Sequence, residues 1–321
     1  MGCDRGLGSG GLAETERITE DACVRELEMP RNLVRALEED ADGGLVRGRW
    51  MAALPLIVDE LARRWSLDLG RPFQPGGSAS WVAPVHNVGG ERLVLKVGLP
   101  HYEALHEADG LRAWDGEGAV RLHDALVIDE TSGLLLEACE PGTPLSELAA
   151  APEQDAVIAG LLRRLWIDPP AGHRFRALQS MCDAWADAFE ERHATFADHR
   201  VLVDPGLTRA GIELLRGLPA TSERSVLLCT DMHPENVLAA GREPWLMIDP
   251  KPYVGDPTYD PVQHMLNFPA RLSADASGFV KQMAGLLDLN ADRLRQWLFA
   301  RCVQESIDQP HLGDVAISLA P

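Results

Sequence analysis

A stretch rich in proline and glycine, Glu140 to Pro144, divides the chain into two parts with different patterns of apolar residues. Upstream, short apolar runs separated by Gly, Asn and Ser predict strands, whereas downstream the apolar residues recur at helical spacing. Because proline and glycine interrupt both kinds of element, this stretch is the natural boundary between them. The sequence therefore predicts an α+β chain, with a small β-rich lobe over residues 29–140 and a larger helical lobe over residues 141–321.

The β-rich part is predicted to contain four strands and two helices. An amphipathic helix over residues 50–65 precedes a hairpin whose turn lies at residues 86–90. A second pair of strands is joined by a turn at residues 130–133, where glycine and polar residues cluster. The predicted strands span residues 81–85, 93–97, 122–128 and 134–138, and the second helix spans residues 102–114.

Two short strands interrupt the predicted helices of the second part, at residues 226–228 and 245–248. Between them lies a polar loop, and a loop positioned by rigid elements is a common place for catalytic residues. Helices are predicted near residues 153–166, 179–194, 207–217, 259–268, 275–287 and 290–305.

Residues 1–28 are rich in glycine and charged side chains and show no apolar periodicity, so they are predicted to add nothing to a core. Gly6, Gly8 and Gly11 match the glycine spacing of a dinucleotide-binding loop, but no strand pattern precedes them. We therefore predict a disordered N-terminal extension, and Met29 is an alternative start of the chain.

The charge balance limits the partners that the protein is expected to have. The 321 residues include 30 Lys or Arg and 49 Asp or Glu, which gives a formal net charge of −19. Such a surface repels phosphate backbones and anionic lipid, so neither nucleic acid nor a membrane is an expected partner. The same field favours a cationic small-molecule substrate, although an acidic surface also serves solubility alone.

Six cysteines are scattered along the sequence without the paired spacing of a disulfide framework or a zinc site. No apolar run reaches the roughly 18 residues that a membrane helix needs, and the first residues lack the pattern of a secretory signal. These features predict a cytoplasmic protein.

The polar loop between the two short strands carries the residues most typical of an enzyme. Asp231 is followed five residues later by Asn236, and the next strand ends at Asp249. This is the arrangement of a kinase catalytic loop and its metal-binding aspartate. Phosphoryl transfer needs a carboxylate for the proton of the attacking hydroxyl, and oxygen ligands for Mg²⁺. We therefore predict Asp231 as the catalytic base and Asn236 with Asp249 as metal ligands; the alternative is an ordinary polar surface loop.

Lys96 lies in a predicted strand, downstream of a glycine and serine turn, where a kinase carries the lysine that contacts the nucleotide phosphates. The following helix supplies Glu103 and Glu107 four residues apart on one face, and either one would pair with Lys96. Glu107 is preferred because it precedes the packed residue Leu111 by one turn. The alternatives are a solvated strand lysine and ordinary exposed acids.

Two further segments are predicted to bind ATP. A glycine and serine turn before the first strand is expected to cover the phosphates through backbone N–H groups and hydroxyls, although such residues also make plain turns. The end of the last strand before the boundary is expected to meet the adenine edge with its backbone. The residues concerned are Gly76, Gly77, Ser78 and Ser80 in the turn, and Glu137 and Cys139 at the strand end.

The stretch from Thr230 to Asp260 closely resembles the catalytic region of the aminoglycoside phosphotransferases, and within them the branch of streptomycin 6-kinases and hydroxyurea phosphotransferases. Similar motifs lie around Lys96 and over residues 110–122, and the resemblance extends from about Met29 to the C-terminal helices. It implies a protein-kinase-like bilobal fold, ATP and Mg²⁺ as cofactors, and transfer of the γ-phosphoryl group to a hydroxyl of a small cationic molecule. Because a phosphorylated antibiotic would no longer bind its target, the implied role is antibiotic resistance.

The chain departs from the family pattern at one position of this stretch. The family usually has His where this chain has Cys229, which implies a change in the packing of the loop rather than in its chemistry. The motif further implies that Asp260 accepts hydrogen bonds from the catalytic loop, and that Asp256 forms a turn before Pro257.

Carboxylates near the catalytic base would be needed to bind a cationic acceptor. One set of acids lies on a predicted helix and a second lies near the end of the C-terminal predicted helix, and for each set the alternative is an ordinary solvated face. The first set is Asp183, Asp187 and Glu190, and the second is Glu305 and Asp308.

Two alternatives to an aminoglycoside kinase are consistent with these residues. One is a kinase of another hydroxylated metabolite or antibiotic, such as a hydroxyurea-like compound. The other is a catalytically silent nucleotide-binding protein whose loop is altered at Cys229.

Overall fold

The computed structural model describes residues 27–39, 44–100, 102–195 and 203–320. The predicted N-terminal extension, residues 1–28, lies outside the described residues except for its last two. The helices are α1 (Arg31–Glu39), α2 (Leu45–Trp65), α3 (Glu107–Trp114), α4 (Leu145–Leu148), α5 (Ala151–Leu165), α6 (Leu178–Thr195), α7 (Pro205–Gly217), α8 (Pro261–Leu266), α9 (Pro269–Leu287), α10 (Ala291–Glu305) and α11 (His311–Leu319). The strands are β1 (Asp68–Leu69), β2 (Ser80–His86), β3 (Arg92–Gly98), β4 (Leu122–Ile128), β5 (Thr131–Glu137), β6 (Arg176–Ala177), β7 (Val226–Leu228), β8 (Val237–Ala239), β9 (Trp245–Met247) and β10 (Tyr253–Gly255).

The chain forms two compact units. Among the described residues, the first contains residues 27–39, 44–100 and 123–136, and the second contains residues 102–122, 137–195 and 203–320. The segment over residues 102–122 therefore belongs to the helical unit, whereas the division predicted at residue 140 groups it with the strands. Within this segment a 3₁₀ turn, Tyr102–His106, precedes α3, so the predicted helix over residues 102–114 begins in a tighter form.

The first unit is built on a five-stranded sheet with the strand order β1-β2-β3-β5-β4. Successive side chains of a strand point to opposite faces, and in β3 the core residues Leu93, Leu95 and Val97 share one face. This face packs with the apolar residues of α2, each of which contributes about 1.5–3 kcal/mol when fully buried. These helix residues are Leu54, Ile57, Val58 and Leu61.

The turn between β4 and β5 lies earlier than the sequence indicated. Asp129 and Glu130 both have positive φ angles, 45° and 68°, as a two-residue hairpin turn requires. The prediction of a turn at residues 130–133 is therefore wrong, because β5 already begins at Thr131. Gly133 lies inside this strand, where a Cβ atom would come within 2.5 Å of Cδ1 of Leu61. This glycine permits close packing of the strand against α2 rather than a reversal of the chain.

The second unit is mainly helical, and α10 lies at its centre. Leu294, Trp297, Leu298 and Phe299 on this helix are completely buried. Helices α7, α9 and α11 pack against α10. Two small sheets, β6-β10-β7 and the β8–β9 hairpin, carry the polar loop singled out in the sequence. None of the helices in the described part of the chain is both long and apolar enough to cross a membrane.

A buried polar network connects three helices of this unit. The carboxylate of Asp155 on α5 is completely buried and receives a hydrogen bond from Nε2 of His264 at 2.8 Å. The guanidinium of Arg271 binds both carboxylate oxygens at 2.9 and 2.8 Å, and the side chain of Gln282 donates a further bond at 2.9 Å. Burial acts to raise the pKa of Asp155, but the bonds from His264 and Arg271 outweigh it and lower the pKa. The network therefore holds an ionised carboxylate that links α5, α8 and α9.

Candidate active site

Strand pairing brings the catalytic loop beside the chain that enters β10. β7 and β10 are antiparallel, and Leu228 at the end of β7 lies opposite Tyr253 at the start of β10. Beyond this pair the N–H of Lys251 donates to the carbonyl of Cys229 at 2.9 Å. The hydroxyl of Thr230 donates to the carbonyl of Lys251 at 2.5 Å. The residues just before Asp231 and just before β10 are thus fixed side by side.

Thr230 adopts a backbone conformation that its side chain disfavours. Its φ is 51°, in the left-handed region, where a β-branched residue is a true outlier. The N–H of Thr230 donates to Oδ1 of Asp260 at 2.7 Å, which helps to hold this conformation. Strain of this kind persists only where the surroundings over-determine it, and it is typical of functional loops.

Asp260 is completely buried and accepts hydrogen bonds from the catalytic loop and from the indole of Trp166. The N–H of Cys229 lies 3.3 Å from Oδ2 of Asp260, Nε1 of Trp166 lies 3.0 Å from the same oxygen, and Sγ of Cys229 lies 3.6 Å from Oδ1. Burial raises the pKa of Asp260 to about 6, although these bonds act to lower it. The expectation that Asp260 supports the catalytic loop is therefore confirmed, and Cys229 occupies its position as a buried side chain bound to that carboxyl.

The raised pKa of Asp260 predicts a specific pH dependence of stability. The folded chain keeps this proton to a higher pH than the unfolded chain, so the free energy of unfolding falls as the pH rises from about 4 to about 6. An Asp260→Asn variant cannot titrate there. Its stability deficit relative to the wild type is therefore expected to be larger at pH 4.5 than at pH 7, by about 2 kcal/mol. Urea unfolding of both proteins at the two pH values measures this difference, and an equal deficit at both would contradict a raised pKa.

Asp256 also forms the expected turn. Its carboxylate accepts a hydrogen bond from the N–H of Thr258 at 2.9 Å, directly after the following proline. The other oxygen accepts bonds from Nε of Arg293 and Nε1 of Trp297, both at 2.7 Å. Asp256 thus joins the turn to α10 in addition to shaping it.

The side chain of Asp231 is only 16% exposed and lies among groups that carry or accept protons. Nζ of Lys251 is 3.2 Å from Oδ2 of Asp231, and Nε2 of His233 is 4.0 Å from Oδ1. The backbone carbonyl of Asp231 accepts a hydrogen bond from Nδ2 of Asn236 at 3.0 Å. The carboxylate of Asp231 therefore lies near the surface, and the side chain of Asn236, a predicted metal ligand, fixes the backbone of Asp231.

The two predicted metal ligands lie at the open end of the β8–β9 hairpin. Asn236 directly precedes β8, Asp249 follows β9, and the N–H of Ile248 donates to the carbonyl of Asn236 at 2.8 Å. Because Nδ2 of Asn236 is used by the carbonyl of Asp231, its Oδ1 is the atom oriented away from that bond. An amide oxygen and a carboxylate, completed by phosphate oxygens and water, suit Mg²⁺. The residues present therefore fit this ion.

A cavity of about 180 Å³ adjoins the carboxylate of Asp231. Its wall includes Trp185, Arg301 and Glu305 from α6 and α10. Arg301 is 4% exposed, its guanidinium lies 4.1 Å from the centre of the Trp185 ring, and Nη1 lies 3.0 Å from Oε1 of Glu305. The cavity thus combines an aromatic face, a buried cation and a second carboxylate beside the predicted base.

The remaining acids considered for the acceptor side bind arginines outside this cavity. Asp187 and Glu190 both contact Nη2 of Arg216, at 2.6 and 3.0 Å. Asp183 lies 3.8 Å from Nη1 of the same guanidinium. Asp308, which lies in the turn after α10, pairs with Arg192 at 2.6 Å. Of the five candidate carboxylates, Glu305 alone lines the cavity that contains Asp231.

Lys96 and Glu107 are both buried, with exposed fractions of 8% and 4%. Lys96 lies opposite Val82 in the register of β2 and β3, on the face of the sheet that points away from the core with α2. Glu107 is the first residue of α3 in the second unit. Because a buried charge is costly without a partner, neither residue has the solvated position that was the alternative for each.

A match that extends far beyond the loop identifies the family. Residues 64–310 match the family described as aminoglycoside/hydroxyurea antibiotic resistance kinase. The chain belongs to this family. The kinase is 34% identical to a streptomycin 6-kinase of Streptomyces griseus over 284 residues, which cover 86% of this chain and 89% of the relative. It is also 34% identical to a hydroxyurea phosphotransferase of Kitasatospora aureofaciens over 301 residues, or 91% and 83% of the two chains.

The fold of this kinase is shared with more distant structures. A choline kinase of Cryptosporidium parvum gives a TM-score of 0.54 at 12% identity, over 82% of this chain and 92% of that one. A macrolide 2′-phosphotransferase of type I gives 0.52 at 14% identity, over 83% and 96%. The predicted α+β, protein-kinase-like fold is therefore confirmed. The protein is an ATP-dependent phosphotransferase with a hydroxyl group as acceptor, as the resemblance implied.

The predicted adenine-binding end of β5 is held by an arginine of the β8–β9 turn. Arg242 binds both carboxylate oxygens of Glu137 at 2.9 Å and donates to the carbonyls of Gly116 and Ala119 at 2.8 and 3.0 Å. Its remaining N–H binds Glu243 at 2.9 Å, so all five donors of the guanidinium are used. Both carboxylate oxygens of Glu137 are thus bound by Arg242 of the same chain.

Backbone groups of the same segment differ in what they offer to a ligand. The N–H of Glu137 donates to the carbonyl of Arg121 at 2.9 Å, so this N–H does not face an adenine. Burial, followed by the charge of Glu137, raises the pKa of the Cys139 thiol to about 12, which keeps it protonated. Any adenine contact from these two residues would therefore come from backbone atoms other than the N–H of Glu137.

The glycine and serine turn of the kinase is held by the helices that precede it. Gly76 has a φ of 74°, and its carbonyl accepts a hydrogen bond from Nδ2 of Asn32 at 2.7 Å. A Cβ atom at Gly76 would lie 2.5 Å from Cβ of Pro30. The side chain of Arg47 donates to the carbonyl of Ser78. These contacts explain the turn itself, and phosphate binding by it stays a prediction.

The remaining turn residues lie close to the start of β2. Ser80 is 9% exposed and opposes Gly98 in the register of β2 and β3. Gly77 lies next to it, where a Cβ atom would approach Oγ of Ser80 to 3.4 Å.

Several residues of the site carry no motif that sequence reasoning could have used. Trp185, Arg301 and Arg242 belong to ordinary helical or turn sequences, and only the packing of helices and the hairpin brings them to their partners. Lys251 is different, because the amino-acid sequence holds a signal for it. Lysine is rare in this kinase, and Lys251 follows the predicted metal ligand Asp249 by two residues.

Proposed function

We propose that this kinase transfers the γ-phosphoryl group of ATP to a hydroxyl of a cationic antibiotic of the aminoglycoside class, with streptomycin as the first candidate, and thereby confers resistance. The cavity beside Asp231 is the observation that carries the proposal, because it contains a second carboxylate, Glu305, and an aromatic wall. A carboxylate attracts an ammonium or guanidinium group, and an aromatic face packs against a sugar or cyclitol ring. The identity to streptomycin 6-kinases supports the choice of acceptor.

The residues of the second unit divide the chemistry between them. Asp231 would orient the acceptor hydroxyl and take its proton, while Oδ1 of Asn236 and the carboxylate of Asp249 would hold Mg²⁺. When bound, Mg²⁺ would neutralise charge on the ATP phosphates. Asp231 lies close to the Asn236 side chain through the bond to its carbonyl, so the base and this ligand are positioned by one loop.

Lys96 and Glu107 are proposed to align the phosphates. Their burial supports this assignment, since neither has the solvated position of an ordinary surface residue. Gly76, Gly77 and Ser78 are proposed to lie over the phosphates. These residues would thus hold the phosphates of ATP in position for the reaction. No covalent intermediate with the protein is needed, because phosphoryl transfer depends mainly on positioning and charge stabilisation.

A second acceptor class is favoured by the charges around the cavity. Lys251 and Arg301 lie on its wall with Asp231 and Glu305, so the formal charges of these four groups cancel. A volume of about 180 Å³ suits one ring of an aminoglycoside or a whole small molecule of the hydroxyurea type. The identity to a hydroxyurea phosphotransferase supports this alternative.

A panel of acceptors separates the two classes. The purified kinase is incubated with ATP, Mg²⁺ and either streptomycin, other aminoglycosides, hydroxyurea or no acceptor, and ADP formation is followed. ADP release that depends on streptomycin supports the proposal, and a phosphorylated product identified by mass spectrometry completes it. If hydroxyurea alone stimulates ADP release, the aminoglycoside assignment fails.

Glu305 gives a residue-level test of the cationic acceptor. The change Glu305→Gln keeps the shape of the side chain but removes its charge, so kcat/KM for streptomycin is expected to fall about 10-fold to 100-fold, mainly through KM. The matched control is Asp308→Asn, which removes a carboxylate one turn away that pairs with Arg192 and does not line the cavity. Equal effects of the two changes would remove Glu305 from acceptor binding.

The cellular setting remains a prediction. Four cysteines of the described residues, Cys139, Cys182, Cys229 and Cys302, are free thiols, which supports the proposed cytoplasmic location. The net charge of −19 likewise supports the expectation that neither nucleic acid nor a membrane surface is a partner.

A further inference from the structure

Lysine is almost absent from this kinase. Of the 30 basic residues, three are lysines and the other 27 are arginines. The lysines are Lys96, Lys251 and Lys281. Lys96 is buried in β3, Lys281 is exposed on α9, and Lys251 lies beside the predicted catalytic base. In a chain that uses arginine at most basic positions, a lysine at the catalytic loop points to a need for a compact ammonium group.

The position of Lys251 is fixed by its backbone. Its N–H and its carbonyl are bound to Cys229 and Thr230, the two residues that precede Asp231. From this fixed backbone the side chain reaches Asp231, with Nζ 3.2 Å from Oδ2. The side chain is 32% exposed and lines the same cavity as Asp231 and Glu305. A cation is therefore placed directly beside the carboxylate that is proposed to hold the acceptor hydroxyl.

We propose that Lys251 is a second catalytic residue, whose ammonium contacts the phosphoryl group as it passes from ATP to the hydroxyl held by Asp231. This inference rests on the proposed function of Asp231 as the base. An oxygen that is hydrogen-bonded to Asp231 lies within a few ångströms of Nζ of Lys251, and so does the phosphorus that it attacks. Charge that develops on the phosphoryl oxygens is then stabilised by a group already in place.

The transfer balances without a change in the protonation of Lys251. The bond between the γ-phosphorus and the oxygen bridging to the β-phosphate breaks, and its electron pair leaves with ADP. A bond forms between the γ-phosphorus and the acceptor oxygen, whose proton passes to the carboxylate of Asp231 and then to solvent. Lys251 stays protonated and contributes charge alone, whereas Asp231 handles the proton.

The chemistry of the two basic side chains explains why lysine stands at this position. Arginine binds a carboxylate through two parallel hydrogen bonds, as Arg242 binds Glu137 here. At residue 251 such a fork would occupy both oxygens of Asp231 and compete with the acceptor hydroxyl. An ammonium is a point charge with rotatable donors, so it can contact one oxygen of Asp231 and a phosphoryl oxygen together.

Variants at the two solvent-accessible lysines test the inference. We expect Lys251→Met to lower kcat for streptomycin about 100-fold to 1,000-fold, as for other single groups that stabilise transition-state charge. Binding of a fluorescent ATP analogue is expected to change less than threefold. Lys251→Arg should recover only part of the lost turnover, and Lys281→Met, the matched control, should behave as the wild type. Thermal melting of each variant establishes that it is folded.

A readout of the transition state separates catalysis from a merely structural role. Aluminium fluoride bound with ADP and the acceptor mimics the phosphoryl group in the transition state. The inhibition constant of this mixture should therefore rise in Lys251→Met by about the factor by which kcat falls. Unchanged turnover would overturn the inference. Lost turnover with unchanged aluminium fluoride inhibition would overturn it as well, since Lys251 would then act only through the position of Asp231. If the wild type does not phosphorylate streptomycin, the proposed acceptor fails separately, and the same comparison is made on hydrolysis of ATP by water.

Discussion

Replacement of Asp231 by asparagine should reduce phosphoryl transfer at least about 1,000-fold, because the acceptor hydroxyl loses the group that orients it and takes its proton. Asparagine keeps nearly the same shape, so the bond from Asn236 to the backbone carbonyl at residue 231 is retained. Affinity for ATP is therefore expected to stay within about threefold of the wild type. Coupled ADP detection measures the first quantity, and titration with a fluorescent ATP analogue measures the second.

The control for this variant is Asp187→Asn. Asp187 is a carboxylate of the same unit, 72% exposed and paired with Arg216, and it lies outside the cavity. Its loss should leave both turnover and ATP binding unchanged. Undiminished turnover in Asp231→Asn would remove Asp231 from its catalytic role, and His233, with Nε2 4.0 Å from the carboxylate, would be the next base to test.

Among the variants proposed for this kinase, removal of the carboxylate of Asp155 should give the largest decrease in the free energy of unfolding. The change Asp155→Ala leaves the guanidinium of Arg271 and the buried imidazole of His264 without their acceptor. Breaking one side of a buried charged network typically costs about 3–5 kcal/mol, since an uncompensated charge remains inside the protein. The free energy of unfolding, measured with urea at pH 7, should fall by that amount.

A surface ion pair provides the comparison for Asp155. Asp308 and Arg192 bind each other in the same two-oxygen geometry, but both side chains are about half exposed. Asp308→Ala is therefore expected to cost less than about 1 kcal/mol. A loss of similar size in the two variants would show that the contacts of Asp155 contribute no more than a solvated pair.

The sequence predicted the elements whose apolar pattern is long enough to be periodic. The helix over residues 50–65 and the strands over residues 81–85 and 93–97 appear as α2, β2 and β3 with ends shifted by a few residues. The short strands β6, β8 and β10 were not predicted, because two or three residues are too few to show alternation. The three-residue strands β7 and β9 were predicted from their apolar runs. Gly133 was assigned to a turn because glycine favours turns and close packing alike, and its neighbour Leu61 is far away in the sequence.

The predicted catalytic motif was readable because its residues are close together in the chain. Asp231, Asn236 and Asp249 lie within 19 residues of one another, and the hydrogen bond from Nδ2 of Asn236 to the carbonyl of Asp231 lies within one loop. The acceptor side was not readable for the opposite reason. Glu305 and Asp308 look alike in the sequence, and only the packing of α6 against α10 shows that Glu305 reaches the cavity while Asp308 binds Arg192.

Arg242 limits how the β8–β9 turn can change in length. Short hairpin turns at a surface normally tolerate inserted residues, since their tips bind little else. Here four of the five donors of the tip residue bind two other segments, at the carboxylate of Glu137 and at the carbonyls of Gly116 and Ala119, and the fifth binds the neighbouring Glu243. One added residue would move the guanidinium away from these partners and leave Glu137 without its cation. Related chains that keep this arginine are therefore expected to keep the spacing between Asn236 and Asp249 as well, and insertions should collect elsewhere.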